Sequence, residues 1–236
     1  MFKDFLDSCS RTLIMGILNV TPDSFYDGGK FLNQKNLKNK FDILNKSDII
    51  DIGAESSRPG SFKINEFTEI ERISTVLSFL DKKNKYYSID TYKPNVAKFA
   101  IENGFNMVND ITGGCNFEML ELVSQAKIPI VLMHMQGNPQ NMQKNPKYND
   151  IIDDLLSFFE SRIEICLKYG INRKQIIIDP GIGFGKTISD NDTIIRRLNN
   201  FKVFDIPILI GLSRKSFLSI KNDRPYYRLE RSLAVA

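Results

Sequence analysis

One pattern constrains this chain more than any other. Short apolar runs, each ending abruptly in polar residues, alternate with longer stretches of helical periodicity. The run MGILNVTPDSFYDGG at residues 15–29 reads as a buried strand ending at Asn19, then a turn-rich loop marked by Pro22, Asp23, Gly28 and Gly29. Strand-like runs recur at residues 12–18, 48–53, 86–90, 106–110, 129–134, 175–179 and 207–212. Helical periodicity occupies residues 67–82, 94–103, 117–126, 151–169 and 190–200. Such alternation implies parallel strands joined by crossover helices. The strand ends carry Asn19, Glu55, Asp90, Asn109 with Asp110, His134, Asp179, and Ser213-Arg214-Lys215. A doubly wound sheet gathers its site at one switch point, whereas a TIM barrel collects groups from many strand ends on one face. The spread predicts an α/β chain folded as a TIM (β/α)8-type barrel. Seven strand–helix units are legible, and residues 228–236 read as the start of a further helix, so the eighth unit is expected to be cut short. No linker or low-complexity stretch divides the chain, which predicts one domain over residues 1–236.

Composition narrows the function. A net charge of +4 is too weak to argue for nucleic acid, and no apolar run reaches membrane-spanning length. The N-terminal MFKDFLDSCSR carries acidic residues where a signal peptide needs an apolar segment, so a cytoplasmic protein is expected. Cys9, Cys115 and Cys166 are odd in number and far apart, which argues against a disulfide framework or a zinc site.

The polar strand ends supply the candidate chemistry. Asp179 lies in IIIDPGIGFGKT, which resembles a phosphate-binding P-loop but has Pro180 where that motif needs Gly. Its glycines suggest backbone packed closely against a flat ligand. Asp90 could instead cap the helix that starts at Pro94, and Asn109-Asp110 could simply form a turn. Converging on one barrel mouth, Asp90, Asn109 and Asp179 would form an acceptor-rich ring. Such a ring suits the edge of a heterocycle bearing adjacent N–H and NH2 groups. Arg214 after an apolar strand needs a ligand or a carboxylate, and the loop holding Ser57-Arg58-Pro59 reads as solvated or anion-binding. His134, the single histidine, reads as structural. With no nucleophile–base pair, the chemistry is expected to run by positioning and electrostatics.

The segments GILNVTPDSFYDGG, DIGAESSRPG, SIDTYKP, VNDITGG, LMHMQGNPQNMQ, IIIDPGIGFGK and GLSRKSF occur in the order found in dihydropteroate synthases, which the chain resembles from about Arg11 to its end. The resemblance implies a TIM barrel, commonly a homodimer. It also implies condensation of p-aminobenzoate with 6-hydroxymethyl-7,8-dihydropterin diphosphate in an SN1-like displacement, with Mg2+ present and pyrophosphate released. Carried over residue by residue, Asp90, Asn109, Asp179 and Lys215 would hold the pterin, with Asp90, Asp179 and Lys215 as the catalytic set. Asn19 would meet Mg2+ and the diphosphate. Ser57, Arg58, Pro59, Phe184, Lys215 and Arg214 would line the p-aminobenzoate and diphosphate side, the target of sulfonamides. Ser57 stands where Thr is usual, and Glu230-Arg231 where a small residue and Gly are usual. The family's last strand, with an Arg and a His for the diphosphate, is not found before Ala236. Two alternatives follow: a non-catalytic or decayed pterin-binding protein, and a pterin-dependent methyltransferase. The NVTPDSF and SSRPG loops argue against the methyltransferase, which has no diphosphate to clamp.

Overall fold

The alternation of apolar runs and helical stretches becomes a parallel sheet wrapped by helices. The computed structural model describes residues 6, 9–21, 26–27, 31–32, 34–56, 61–81, 85–213, 215 and 232. In chain order the elements are β1 (Met15–Asn19), β2 (Tyr26–Asp27), β3 (Phe31–Leu32), α1 (Gln34–Leu44), β4 (Ile49–Gly53), α2 (Glu66–Ser74), β5 (Tyr86–Asp90) and α3 (Pro94–Glu102). They continue with β6 (Met107–Asp110), α4 (Phe117–Ala126), β7 (Ile130–Met133), α5 (Ile151–Lys168), β8 (Ile176–Asp179) and α6 (Ile188–Arg196). Strands β1, β4, β5, β6, β7 and β8 pair in parallel in that order as a six-stranded sheet of the TIM-barrel type. The seventh expected run is shorter than the sequence suggests. Ile208 bridges Ile178, flanked by bonds from Ile178 N to Pro207 O (3.0 Å) and from Leu209 N to Ile178 O (2.9 Å).

Three local features depart from expectation. The segment after β1 contains the antiparallel pair β2–β3 where only a loop is expected. Helix α1 buries Leu37 and Phe41, four apart, a face hard to read among Lys and Asn. The helix expected over 67–82 ends at Ser74 and gives way to a 3-10 turn, Leu77–Phe79. Ser74 Oγ donates to Glu71 O (2.7 Å) and Thr75 Oγ1 to Arg72 O (2.6 Å), taking carbonyls of the last turn. Apart from Ser232, the helix expected at 228–236, including Glu230-Arg231, lies outside the described residues.

Side chains alternate across each strand, so the sheet has two apolar faces. Leu18, Ile50, Ile52, Tyr87, Ile89, Val108, Leu132, Ile176 and Ile178 pack outward with α3, α4 and α5 in the main core. The opposite parity gives a smaller inner cluster of Ile49, Met107, Val131 and Ile177, joined by Met15, Tyr86 and Leu209. Above that plug the inner face turns polar, and the site begins there. Ile52→Ala, at a fully buried outward position, should cost about 2–5 kcal/mol in urea denaturation; a loss below about 1 kcal/mol would contradict an outer layer that carries the core.

Candidate active site at the strand ends

Register brings the polar strand ends together. Asn19, Gly53, Asp90 and Asn109 stand opposite one another across β1, β4, β5 and β6, forming one row. Asp179 ends β8 opposite Met133. Gly53 keeps the row open, because a Cβ there would lie 3.1 Å from Asp90 Oδ2. The same alternation separates neighbours of identical chemistry. Asn109 is half-buried in the row, whereas Asp110 is fully buried and accepts from Thr112 N (2.8 Å), Thr112 Oγ1 (2.6 Å) and Gly114 N (3.0 Å). Asp110 therefore forms the turn. Asp90 does not cap α3, whose N-cap is Lys93 with Pro94 in the first turn.

One level below, Ile17, Asp51, Ser88 and Met107 are in register, and Asp51 is a carboxylate that the strand-end reading overlooks. The available signal is a charged residue in the middle of the otherwise apolar IIDIG. Asp51 is 4% exposed and its Oδ2 accepts from Asn109 Nδ2 at 3.0 Å. Oδ1 and the nearby Ser88 hydroxyl have no hydrogen-bond partner. Burial pushes the Asp51 carboxyl up to about 6 and the Asp179 charge adds to the rise, against the pull of Ser88 and Asn109. Burial, then the charge of Asp51, raises Asp90 well above the ordinary carboxylate range. Asp179 also rises on burial, although Gly181 N donates to its Oδ1 (2.7 Å) and Lys215 and Lys186 favour its charge.

Cations offset this acidity. Lys215 lies 4.2 Å from the centre of the Phe184 ring; burial lowers its pKa while Asp179 and Asp90 pull it up. Lys186 is 4% exposed, and its Nζ donates to His134 O (3.2 Å) and Phe184 O (3.0 Å) and meets His134 Nδ1 at 3.0 Å. Burial brings Lys186 down to about 7, and burial with the Lys186 charge brings His134 down to about 3. His134 is thus a neutral acceptor inside a structural tie. The glycines after Asp179 serve that tie more than a flat ligand. A Cβ on Gly181 (φ +69°) would fall 2.0 Å from His134 O, and one on Gly185 (φ +61°) 2.8 Å from Gln136 O. Only Gly183 faces a site residue, with a Cβ position 3.3 Å from Lys215 Cδ.

A second polar centre joins the ends of β4 and β5 to α2. Lys93 Nζ donates to Glu55 Oε2 (2.7 Å), Glu69 Oε2 (2.6 Å) and Ile64 O (2.7 Å), while Tyr92 OH donates to Glu55 Oε1 (2.9 Å). Burial pushes Glu55 up, but the donors Lys93, Ile64 N and Tyr92 outweigh it and the net shift is down. For Glu69 burial wins and the net shift is up. Beside this centre a cavity of about 320 Å³ opens at the rim, with Tyr92, Thr112, Pro139 and Phe158 among its walls and none of Asp51, Asp90 or Asp179. Ser57, Arg58, Pro59 and Arg214 lie outside the described residues, as do residues 22–25 and 28–30. Asn19 is exposed at its strand end, and no cluster of three or more His, Cys, Asp or Glu placed to hold a metal occurs among the described residues. Among the same residues, no helix is long and apolar enough to cross a membrane.

Comparison with known proteins gives this arrangement relatives. Residues 15–236 match the family of pterin binding enzymes. The dihydropteroate synthase of Synechocystis is 42% identical over 227 residues, covering 94% of this chain and 78% of the relative. The Yersinia pestis dihydropteroate synthase, solved with a sulfonamide drug complex, superposes with a TM-score of 0.86 at 37% identity, covering 96% of this chain and 84% of that one. The Clostridium difficile enzyme, solved in the presence of pteroic acid, gives a TM-score of 0.86 at 38% identity, covering 96% and 86%.

Two measurements test the electrostatics. Above about pH 6 the folded protein carries the full cost of a charged Asp51, and below about pH 4 the carboxyl is protonated whether folded or unfolded. Asp51→Asn should therefore raise the melting temperature at pH 7.5, by at most about 3 kcal/mol of stability, with the gain fading as the pH falls from 6 to 4. A variant less stable at every pH would contradict the assignment. Lys93→Met leaves two largely buried carboxylates without their cation and should cost about 3–5 kcal/mol in urea denaturation; an unchanged midpoint would contradict it.

Proposed function

Because the chain belongs to the dihydropteroate synthases of the pterin binding enzyme family, we propose that the row of strand-end acceptors holds the pterin while p-aminobenzoate replaces the diphosphate. The enzyme condenses p-aminobenzoate with 6-hydroxymethyl-7,8-dihydropterin diphosphate, giving 7,8-dihydropteroate and pyrophosphate. One observation carries the proposed roles: Asp90 and Asn109 in direct register on the inner face, with Asp179 close enough to Lys215 to shift it. Carboxylate and carboxamide oxygens match the N–H and NH2 donors of the pterin edge, and Lys215 supplies a donor for its acceptors.

In the proposed reaction the bond between the pterin methylene and the diphosphate oxygen breaks with both electrons leaving on the diphosphate. The positive charge spreads from the methylene into the pterin ring. Buried Asp179 and half-buried Asp90 face that charge where water is partly excluded, so their attraction is stronger than in water. The uncharged arylamine nitrogen then donates its lone pair to close the new C–N bond, and the resulting ammonium gives its proton to water, without a protein base. Phe184, with Lys215 above it, offers an apolar and cationic side for the p-aminobenzoate ring and its carboxylate. Ser57, Arg58, Pro59 and Arg214 are proposed on the same side, where a sulfonamide would compete with p-aminobenzoate. Asn19, an exposed residue with a carboxamide oxygen in the row of Asp90, fits Mg2+, a hard cation that takes one or two protein oxygens and completes its shell with phosphate and water. Bound there, the ion would offset charge on the departing diphosphate. The proposed working form is a cytoplasmic homodimer on a single domain over residues 1–236.

Pyrophosphate release from both substrates with Mg2+ tests the reading. The wild type should turn over, and Asp179→Asn should lower kcat/KM by about a hundredfold or more, the effect of one lost transition-state contact. Asp179→Asn with unchanged kcat/KM would contradict the role of the carboxylate; wild-type pterin binding without pyrophosphate release would contradict the catalysis.

A further inference from the structure

Resting on the reading of Asn109 as a pterin contact, we infer that Asp51 is a positioning residue that sets which end of the Asn109 side chain meets the ligand. An asparagine side chain has a donor end and an acceptor end of nearly equal shape, so register alone does not decide what it presents. Here the bond from Asn109 Nδ2 to Asp51 Oδ2 (3.0 Å) is the amide's one side-chain hydrogen bond among the described residues. An ionised carboxylate can only accept, so the NH2 group must turn down toward Asp51 and the oxygen up, away from it. Asp90, Asn109 Oδ1 and, on β8, Asp179 then present acceptors together. That is the complement of a heterocycle edge made of N–H and NH2 groups. A flipped amide would set donor against donor and leave a polar group unpaired.

Burial supports a role in binding. Asp51 is 96% removed from solvent by its 4% exposure, has no salt-bridge partner among the described residues, and keeps Oδ1 without a hydrogen bond. Buried carboxylates left in this state destabilise a fold, so this one does not serve packing. The groups facing it are Ser88 and Asp90 on β5, Asn109 on β6 and Asp179 on β8, none of them cationic. Its ionised form therefore has a single hydrogen bond to hold it, from Asn109 Nδ2. Asn109 uses one N–H on it and leaves its oxygen free for the ligand.

The test titrates 6-hydroxymethyl-7,8-dihydropterin diphosphate with Mg2+ by calorimetry at pH 8, with thermal melts of every variant. Asp51→Leu removes the acceptor at similar volume; it should weaken binding about tenfold without lowering the melting temperature. Asn109→Asp sets two carboxyls face to face and should weaken binding at least about tenfold. Combining Asp51→Asn with Asn109→Asp reverses donor and acceptor while still offering an oxygen to the ligand. This exchange should restore affinity to within about threefold of wild type. Wild-type affinity in Asp51→Leu, or an exchanged pair no tighter than Asn109→Asp alone, would overturn the inference. Asn109→Ala separates the two layers: unchanged affinity there would overturn the pterin contact as well, whereas weakened affinity without rescue by the exchange would overturn only the role of Asp51.

Discussion

Everything at the mouth of this barrel depends on the two-residue period of its strands. One parity faces the helices and the other faces inward, so each strand must satisfy two environments at once. Ile50 and Ile52 pack outward in the main core, while Ile49, Asp51 and Gly53 face inward. The inner parity begins with an apolar plug of Ile49, Met107, Val131 and Ile177 and ends in carboxylates and carboxamides. The plug excludes water from beneath the polar row, and poor hydration is what makes that row electrostatically strong.

The same dryness has a cost. Asp51, Asp90 and Asp179 share one surface and all lie above their ordinary pKa range, with burial the leading cause. Lys215 offsets part of this from the ligand side, and Lys186 from behind the Asp179 turn. The Lys93 centre holds the ends of β4 and β5, and so the backbone on either side of Gly53 and Asp90. A site built in this way trades stability for a preformed set of acceptors, and it asks for a ligand rich in donors.

Much of this is legible in the residues, for a physical reason. Parallel strands buried on both faces must be continuous apolar runs, so six of them fall where the runs predict. Other features depend on contacts distant in sequence. Asn109 and Asp110 are equivalent as letters, and only their parity assigns one to the site and the other to a turn. The glycines after Asp179 suit a ligand equally well until His134 O and Gln136 O are found against them. Asp51 escapes a reading that looks at strand ends because it sits one layer lower. The run at 207–212 keeps a single bridge at Ile208, where Pro207 has no N–H to donate, and α1 hides its Leu37–Phe41 face among polar residues.

The most direct measurement is a crystal structure of the chain with 6-hydroxymethyl-7,8-dihydropterin diphosphate bound. The pterin edge should lie within about 3.2 Å of Asp90, Asn109 Oδ1 and Asp179, with the Asn109 NH2 group still on Asp51. A pterin lodged instead in the rim cavity between Tyr92, Thr112 and Phe158, with the acceptor row untouched, would contradict it.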